Sequence, residues 1–382
     1  MKSTLLIALL AIVAYISSYG QTLPPKQAYP FDVKQIHSGH SLTDPLFGQP
    51  WPGQFVNLVT HLRGTWAGDD IGKSTVPGST QQWRWEHKVE YGPDARRDIE
   101  NWELLCITER VALAYEGGNM QQWYIDLIRD QKEYLSLFVN NAWNNGNYGN
   151  GAATLLWTTW TNIDDSDGPW RDMLDIQGKE FENMQDYANA NKPDVAPYVY
   201  IIPGHKMMSK LYDDIRDGLV PGITHINQFF SDNIHTNSLG AYAVAMIHYA
   251  CIFNLSPVGL PNNLMPDVPG FHAPTSELAL YLQEMIWDVV TTYPRTGITK
   301  TTGTDNHFAK DGSIVVYPNP AINQINFSVQ TNVLLTTITG QIMTDRKDIN
   351  TLDISGLLPG IYFLTLTNDL GQVLKRSKIV KE

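Results

Sequence analysis

Two short segments carry residue types that can do covalent chemistry. In Gly39-His40-Ser41-Leu42-Thr43 a serine follows a glycine, just past the short apolar stretch 31–36. A residue without a side chain lets the backbone turn sharply at a strand end, and such a turn presents a hydroxyl at the sheet edge. Ser231-Asp232-Asn233-Ile234-His235-Thr236-Asn237 precedes the apolar run 241–253. A serine hydroxyl becomes a nucleophile only with a general base, and the base needs an acid to orient it. Asp232 and His235 are three residues apart, a spacing that sets both side chains on one side of a turn. Each segment also has a plainer reading. Ser41 is then an ordinary turn residue, Asp232 caps a turn, and His235 is an exposed loop residue.

Other chemistries find little support. The histidines show no His-Glu-x-x-His spacing, so a zinc hydrolase is disfavoured. There is no Gly-rich phosphate loop and no dinucleotide fingerprint. Asp164-Asp165-Ser166-Asp167-Gly168 offers oxygen ligands but lacks the distal Glu and the register of an EF-hand loop. Ten of the eleven Trp lie between Trp51 and Trp170, among them Trp83, Trp85, Trp157 and Trp160. Their flat faces suit either a core or a groove for sugar rings.

The elements that must position these residues follow from apolar patterning. Residues 100–115, 152–160 and 198–202 read as buried strands. Residues 119–139, 180–189, 206–218, 237–253 and 276–292 have helical spacing, and 140–151 reads as an Asn/Gly loop. Strands alternating with helices predict an α/β fold with a mostly parallel sheet. The pattern changes near Pro294. Residues 295–312 read as a linker and the remainder as antiparallel strands, with Asn368-Asp369-Leu370-Gly371 as a hairpin turn.

The chain has 382 residues and a formal charge of −12, yet its last 70 residues carry six Lys/Arg against five Asp/Glu. The acidity therefore sits in the front part, which argues against nucleic acid or an anionic membrane surface as the main partner. The only cysteines, Cys106 and Cys251, rule out a disulfide scaffold and a cysteine zinc site. They are either buried free thiols or one pair. Lys2, the apolar stretch 5–16 and the small residues Ser18 and Gly20 read as a secretory signal cleaved before Gln21. No later segment has 18 consecutive apolar residues. The expected organisation is a signal peptide over 1–20, a main domain over 21–294, a linker over 295–312 and a C-terminal domain over 313–382.

Two resemblances sharpen this picture. Val316-Tyr317-Pro318-Asn319-Pro320, Leu357-Leu358-Pro359-Gly360-Ile361-Tyr362 and residues 375–381 together resemble the type A sorting domain of type IX secretion in Bacteroidota. That implies Sec export, translocation across the outer membrane by the type IX machinery, and release or attachment at the cell surface. The Gly-x-Ser-Leu-Thr and Asp-x-x-His blocks at the two ends of an α/β domain resemble the SGNH/GDSL hydrolase superfamily. The fold it implies is a three-layer α/β/α sandwich, followed here by a small antiparallel β-sandwich.

The roles it implies are Ser41 as nucleophile, His235 as base and Asp232 as its orienting acid, with no metal or other cofactor. The first block departs from the usual Gly-Asp-Ser, since His40 stands at its centre. The resemblance points to Gly78, in Pro77-Gly78-Ser79-Thr80, as an oxyanion donor. The family's Gly-x-Asn-Asp block is absent. Asn119 is the nearest candidate for its asparagine, and Glu109 is a candidate for a polar role at that strand end. The expected activity is hydrolysis of an ester, such as an acetyl group on polysaccharide. The alternatives are a non-catalytic glycan-binding protein on the same fold and a lipase-like esterase.

Overall fold

A computed structural model describes residues 23–43, 71–111, 122–163, 169–264, 272–299, 314, 316–337, 341–367 and 373–382. The first body is built on five parallel strands in the order β2-β1-β3-β4-β5. Strands β1 (Gln35–Gly39), β3 (Leu104–Thr108), β4 (Ala153–Thr158) and β5 (Tyr200–Pro203) are buried at every position. A parallel sheet covered on both faces demands such runs. Strand β2 (Ile71–Thr75) lies at the edge and is absent from the sequence reading. Ile71-Gly72-Lys73-Ser74-Thr75 has no apolar run, and it is held by pairing with β1, from Gln35↔Ile71 to Gly39↔Thr75.

Alternation along the strands feeds two cores. Leu105 and Ile107 of β3 join Ile36, Leu156 and Ile201 against helices α2 (Gln122–Asn145) and α3 (Trp170–Asn191), which contribute Phe138, Phe181 and Met184. Leu104 and Cys106 point the other way with Leu155, Trp157 and Ile202. They meet α4 (Gly204–Arg216), α5 (Ser238–Phe253) and α6 (Ser276–Thr292). This is the expected three-layer α/β/α arrangement. The short helix α1 (Gln81–Glu86) follows β2 and is capped by Thr80, whose hydroxyl accepts the Trp83 N–H at 3.1 Å.

Among the described residues, the strand expected over 100–115 is confined to Leu104–Thr108, after a 3-10 turn at Ile99–Asn101. Residues 140–145 are not loop, because α2 runs on to Asn145. Their asparagines bond within the helix, as Asn140 Nδ2 donates to Ser136 O at 2.8 Å and Asn145 Nδ2 to Asn141 Oδ1 at 2.9 Å. The helix stops at Gly146, where a Cβ would meet Ala142 O at 2.4 Å. Cys106 and Cys251 are buried free thiols.

The chain stays packed on this body as far as Ile298, and Lys26 N–H donates to Gly297 O at 2.8 Å. The second body is an antiparallel sheet of β6 (Val316–Tyr317), β7 (Gln324–Thr337), β8 (Ile342–Asp353), β9 (Gly360–Thr367) and β10 (Val373–Lys381). Its order is β10-β9-β7-β6, with β8 also paired to β7. Strand β8 is charged and almost wholly exposed, so it carried no apolar signal. The expected turn at 368–371, most of the expected linker and the acidic loop 164–168 lie outside the described residues. Among the described residues no helix is long and apolar enough to cross a membrane.

The first body buries four neutral histidines. Burial lowers His40 and His205 to about 3 and His248 to about 4, and it puts His37 well below the ordinary 6.5, helped by the nearby His248. An unfolded chain takes up these four protons below pH 6.5 while the native chain does not, so stability is lost as pH falls from 6.5 toward 4. Glu109, pushed up to about 7, works in the opposite sense between 4.5 and 7, but it is one group against four. Thermal unfolding should therefore show a lower midpoint at pH 5 than at pH 7, and an unchanged or higher midpoint at pH 5 contradicts the count.

Candidate active site

All five strands of the first sheet are parallel, so their C-terminal ends share one edge. In a sheet of order 2-1-3-4-5 the chain switches direction between β1 and β3, and ligands bind outside the strand ends there. Ser41 stands at this point. From Gln35 to Thr43 it is the one residue that is not buried. It sits in a turn closed by Thr43 N–H donating to His40 O at 2.8 Å. A Cβ at Gly39 would lie 2.4 Å from Thr43 Oγ1 and 2.9 Å from Thr108 Cγ2, so only glycine lets the turn fold back so closely.

His40 holds the same turn from inside. Its Nε2 donates to Glu109 O at 3.1 Å, which leaves Nδ1 to accept Leu42 N–H at 3.4 Å. The ring is neutral. Burial dominates the lowering of its pKa, and the positive charges of Arg84 and Arg110 and the nearby His235 add to it.

The second segment is a tight loop between Phe230 and Thr236, which form an isolated bridge. Asp232 Oδ1 accepts the N–H groups of Ile234 and His235 at 2.8 and 2.7 Å, and Oδ2 accepts His235 Nδ1–H at 2.7 Å. Partial burial works to raise the Asp232 carboxyl. The two backbone donors and the imidazole outweigh it and hold the group below its ordinary range. Beyond β4, Trp160 Nε1–H donates to Ile234 O at 2.8 Å and Ile163 N–H to Asn233 O at 2.7 Å. These bonds fix the loop to the same sheet edge that carries Ser41. The loop then enters α5 through Asn237, whose side chain accepts the Leu239 N–H at 2.9 Å.

The structure thus brings Asp232 and His235 into direct contact and sets His235 within electrostatic range of His40. Among the described residues, no hydrogen bond joins Ser41 to either of them. Gly78 lies in the exposed loop after β2 with φ +65°, and no neighbouring atom lies within 4 Å of where its Cβ would be. Val76 N–H, two residues before it, donates to Gly39 O at 3.0 Å, so this loop also abuts the end of β1. Asn119 lies outside the described residues.

Sequence reasoning missed Arg84. It is 1% exposed on α1 and donates from Nη1 to Ser79 O and Ser79 Oγ, both at 2.9 Å, and from Nη2 to Thr108 O. Glu109, which the sequence did flag, is fully buried at the end of β3. Its carboxylate accepts Gln81 N–H at 3.1 Å and Arg110 N–H at 2.6 Å. Burial pushes Glu109 up to about 7 and Arg84 down to about 10, while each charge favours ionisation of the other.

Among the described residues most tryptophans lie in the cores or pack against them. Trp157 and Trp160 are 1% exposed, so neither offers a face to sugar. Trp85 packs on the second core and under Arg96. Trp83 is half-buried and stacked on His87, with ring centroids 4.7 Å apart. A cleft of about 580 Å³ opens between the N-terminal ends of α5 and α6 and borders the histidine loop through Asn237 and Ser238. Among the described residues no three metal-ligating side chains gather.

Residues 315–382 match the secretion system C-terminal sorting domain. The chain is an exported protein. Its tail directs it through the type IX system to the extracellular space or the cell surface. No curated protein matches the chain. Among solved structures it is similar to a DUF4886 family protein from Bacteroides uniformis, at 11% identity over 69% of this chain and 96% of that one, with a TM-score of 0.42. It is similar to the acetylxylan esterase Axe2 from Geobacillus stearothermophilus, at 13% identity over 60% and 94%, with a TM-score of 0.37. A third is a GDSL-like lipase, so described, from Parabacteroides merdae, at 15% identity over 60% and 99%, with a TM-score of 0.38.

The turn at Ser41 depends on the missing side chain at position 39. Gly39→Ala should destabilise the protein by about 1–3 kcal/mol through overpacking. Urea unfolding measures this, and a wild-type midpoint for Gly39→Ala would show that the turn yields freely.

Proposed function

We propose that the exported chain is an SGNH-type serine ester hydrolase with Ser41 as nucleophile, His235 as general base and Asp232 as its orienting acid. One observation carries this reading. The Asp232–His235 pair is hydrogen-bonded and tethered to the sheet edge at which Ser41 stands half-exposed at the end of β1. With Nδ1–H bonded to Asp232, the neutral ring carries its lone pair on Nε2 and can accept a proton there.

In the proposed sequence His235 takes the Ser41 proton as Oγ attacks the ester carbonyl. The resulting oxyanion is stabilised by the N–H groups of Ser41 and Gly78, and Asn119 is the proposed third donor. Collapse expels the alcohol, which receives the proton from His235. Water, deprotonated by His235, then attacks the acyl-enzyme; the carboxylic acid leaves and Ser41 regains its proton.

The proposed substrate is an ester on polysaccharide, with acetyl as the acyl group. Export supports it, since the tail delivers the chain to a compartment where glycan esters are accessible. The half-buried Trp83 next to the Gly78 loop is the proposed contact for a sugar ring.

Intact mass after incubation with a fluorophosphonate probe tests the reading. Wild type should gain one adduct and Ser41→Ala none. His235→Ala should lower kcat/KM on an acetyl ester at least ~10³-fold. A folded wild type that gains no adduct and cleaves no ester would favour the glycan-binding alternative.

A further inference from the structure

Three loops must hold their relative positions for Ser41 to face a working oxyanion site. They are the turn after β1, the 76–80 loop after β2 and the end of β3. Arg84 and Glu109 touch all three from beneath. Arg84 clamps the second loop to the third through Ser79 O, Ser79 Oγ and Thr108 O. The Glu109 carboxylate fixes the first residue of α1 through Gln81 N–H and its own strand end through Arg110 N–H. The Glu109 carbonyl accepts from His40, and His40 accepts from Leu42 across Ser41. We infer that Arg84 and Glu109 are a buried positioning pair, which locks the Ser41 turn and the Gly78 loop into one rigid frame for ester hydrolysis.

The inference rests on the serine-hydrolase reading above. Its physical argument is one of cost. Two ionisable side chains, 1% and 0% exposed, give up their hydration. Apolar side chains of similar volume often serve stability as well or better than buried ionisable groups. What apolar side chains cannot do is grip the backbone groups of the 76–80 loop and α1 start on one side and the end of β3, on which His40 rests, on the other. The bonds to Ser79 O, Thr108 O, Gln81 N–H and Arg110 N–H are directional, and oxyanion donors lose their effect when misplaced by fractions of an ångström. Neither residue reaches solvent, so each acts through the backbone it holds.

The test separates folding from positioning. In Arg84→Met/Glu109→Gln both charges leave together, so no lone charge stays buried. This double variant is expected to unfold near the wild-type temperature. Its kcat on a small acetyl ester should fall at least ~10-fold with KM within about twofold, and its fluorophosphonate labelling rate should fall by the same factor. Arg84→Lys keeps the pair charge-balanced but lacks the second prong, and it decides the matter should the double variant not fold. It is expected to lose at least ~5-fold in kcat with KM unchanged. Wild-type kcat and labelling in the double variant, or in Arg84→Lys should the double variant not fold, overturn the inference while leaving Ser41 as the nucleophile. A wild type that neither labels nor hydrolyses overturns the hydrolase reading first, and this inference with it.

Discussion

The structure depends on one steric constraint at the end of β1. That strand is paired on both edges and buried on both faces, so the chain must leave the sheet by turning at its tip. The turn folds back on itself within four residues, and a side chain at position 39 would collide with Thr43 and Thr108. Ser41 is half-exposed because its neighbours are driven inward. The same close approach presses the β1 turn against β3, where His40 meets the Glu109 carbonyl. Parallel strand direction supplies the rest, since it gathers every strand end, and the loop tied to Trp160, at one edge.

Electrostatics reinforce this arrangement in two different ways. Beneath the turn, burial keeps His40 neutral, and the Glu109 carbonyl sets its tautomer, so that Nε2 donates and Nδ1 accepts. At the surface, Asp232 remains a carboxylate because two backbone N–H groups and the His235 ring compensate for lost hydration. The two histidines, drawn within electrostatic range of each other, thus have opposite duties. One is a dry spacer within the frame, and the other, bonded to Asp232 in the loop after Phe230, is the proposed general base. The imidazole at position 40 fits this turn. An imidazole reaches the β3 carbonyl and still accepts from Leu42, where a carboxylate would have set a lone pair against a carbonyl oxygen.

Much of this was legible in the sequence, for physical reasons that differ by element. Strands β3, β4 and β5 announced themselves as unbroken apolar runs because both sheet faces are covered. Strand β2 did not, since an edge strand needs only backbone pairing and its Lys73, Ser74 and Thr75 give no apolar signal. Strand β8 was hidden by its charged, exposed face. The asparagines of 140–145 read as loop because their helical role depends on bonds one turn back along α2. At the candidate site, the spacing of Asp232 and His235 made their contact legible, while the roles proposed for them and for Ser41 rest on the resemblance. Arg84 was not, because a buried charge on a short helix between two tryptophans looks like a solvated one until its partners are known. The tethers from Trp160 and Ile163 were equally silent, since they end on backbone carbonyls.

The central claim is that Ser41, His235 and the Gly78 loop form one acyl-transfer site. A crystal structure of the protein trapped with a small dialkyl fluorophosphate, which loses fluoride as the nucleophile bonds phosphorus, tests it most directly. The account predicts phosphorus bonded to Ser41 Oγ, with a phosphoryl oxygen about 2.7–3.1 Å from the N–H groups of Ser41 and Gly78. His235 Nε2 should lie within about 3.2 Å of Ser41 Oγ or of the leaving position. Phosphorus on any other residue, or an adduct at Ser41 whose phosphoryl oxygen points away from Gly78 with His235 out of reach, would contradict it.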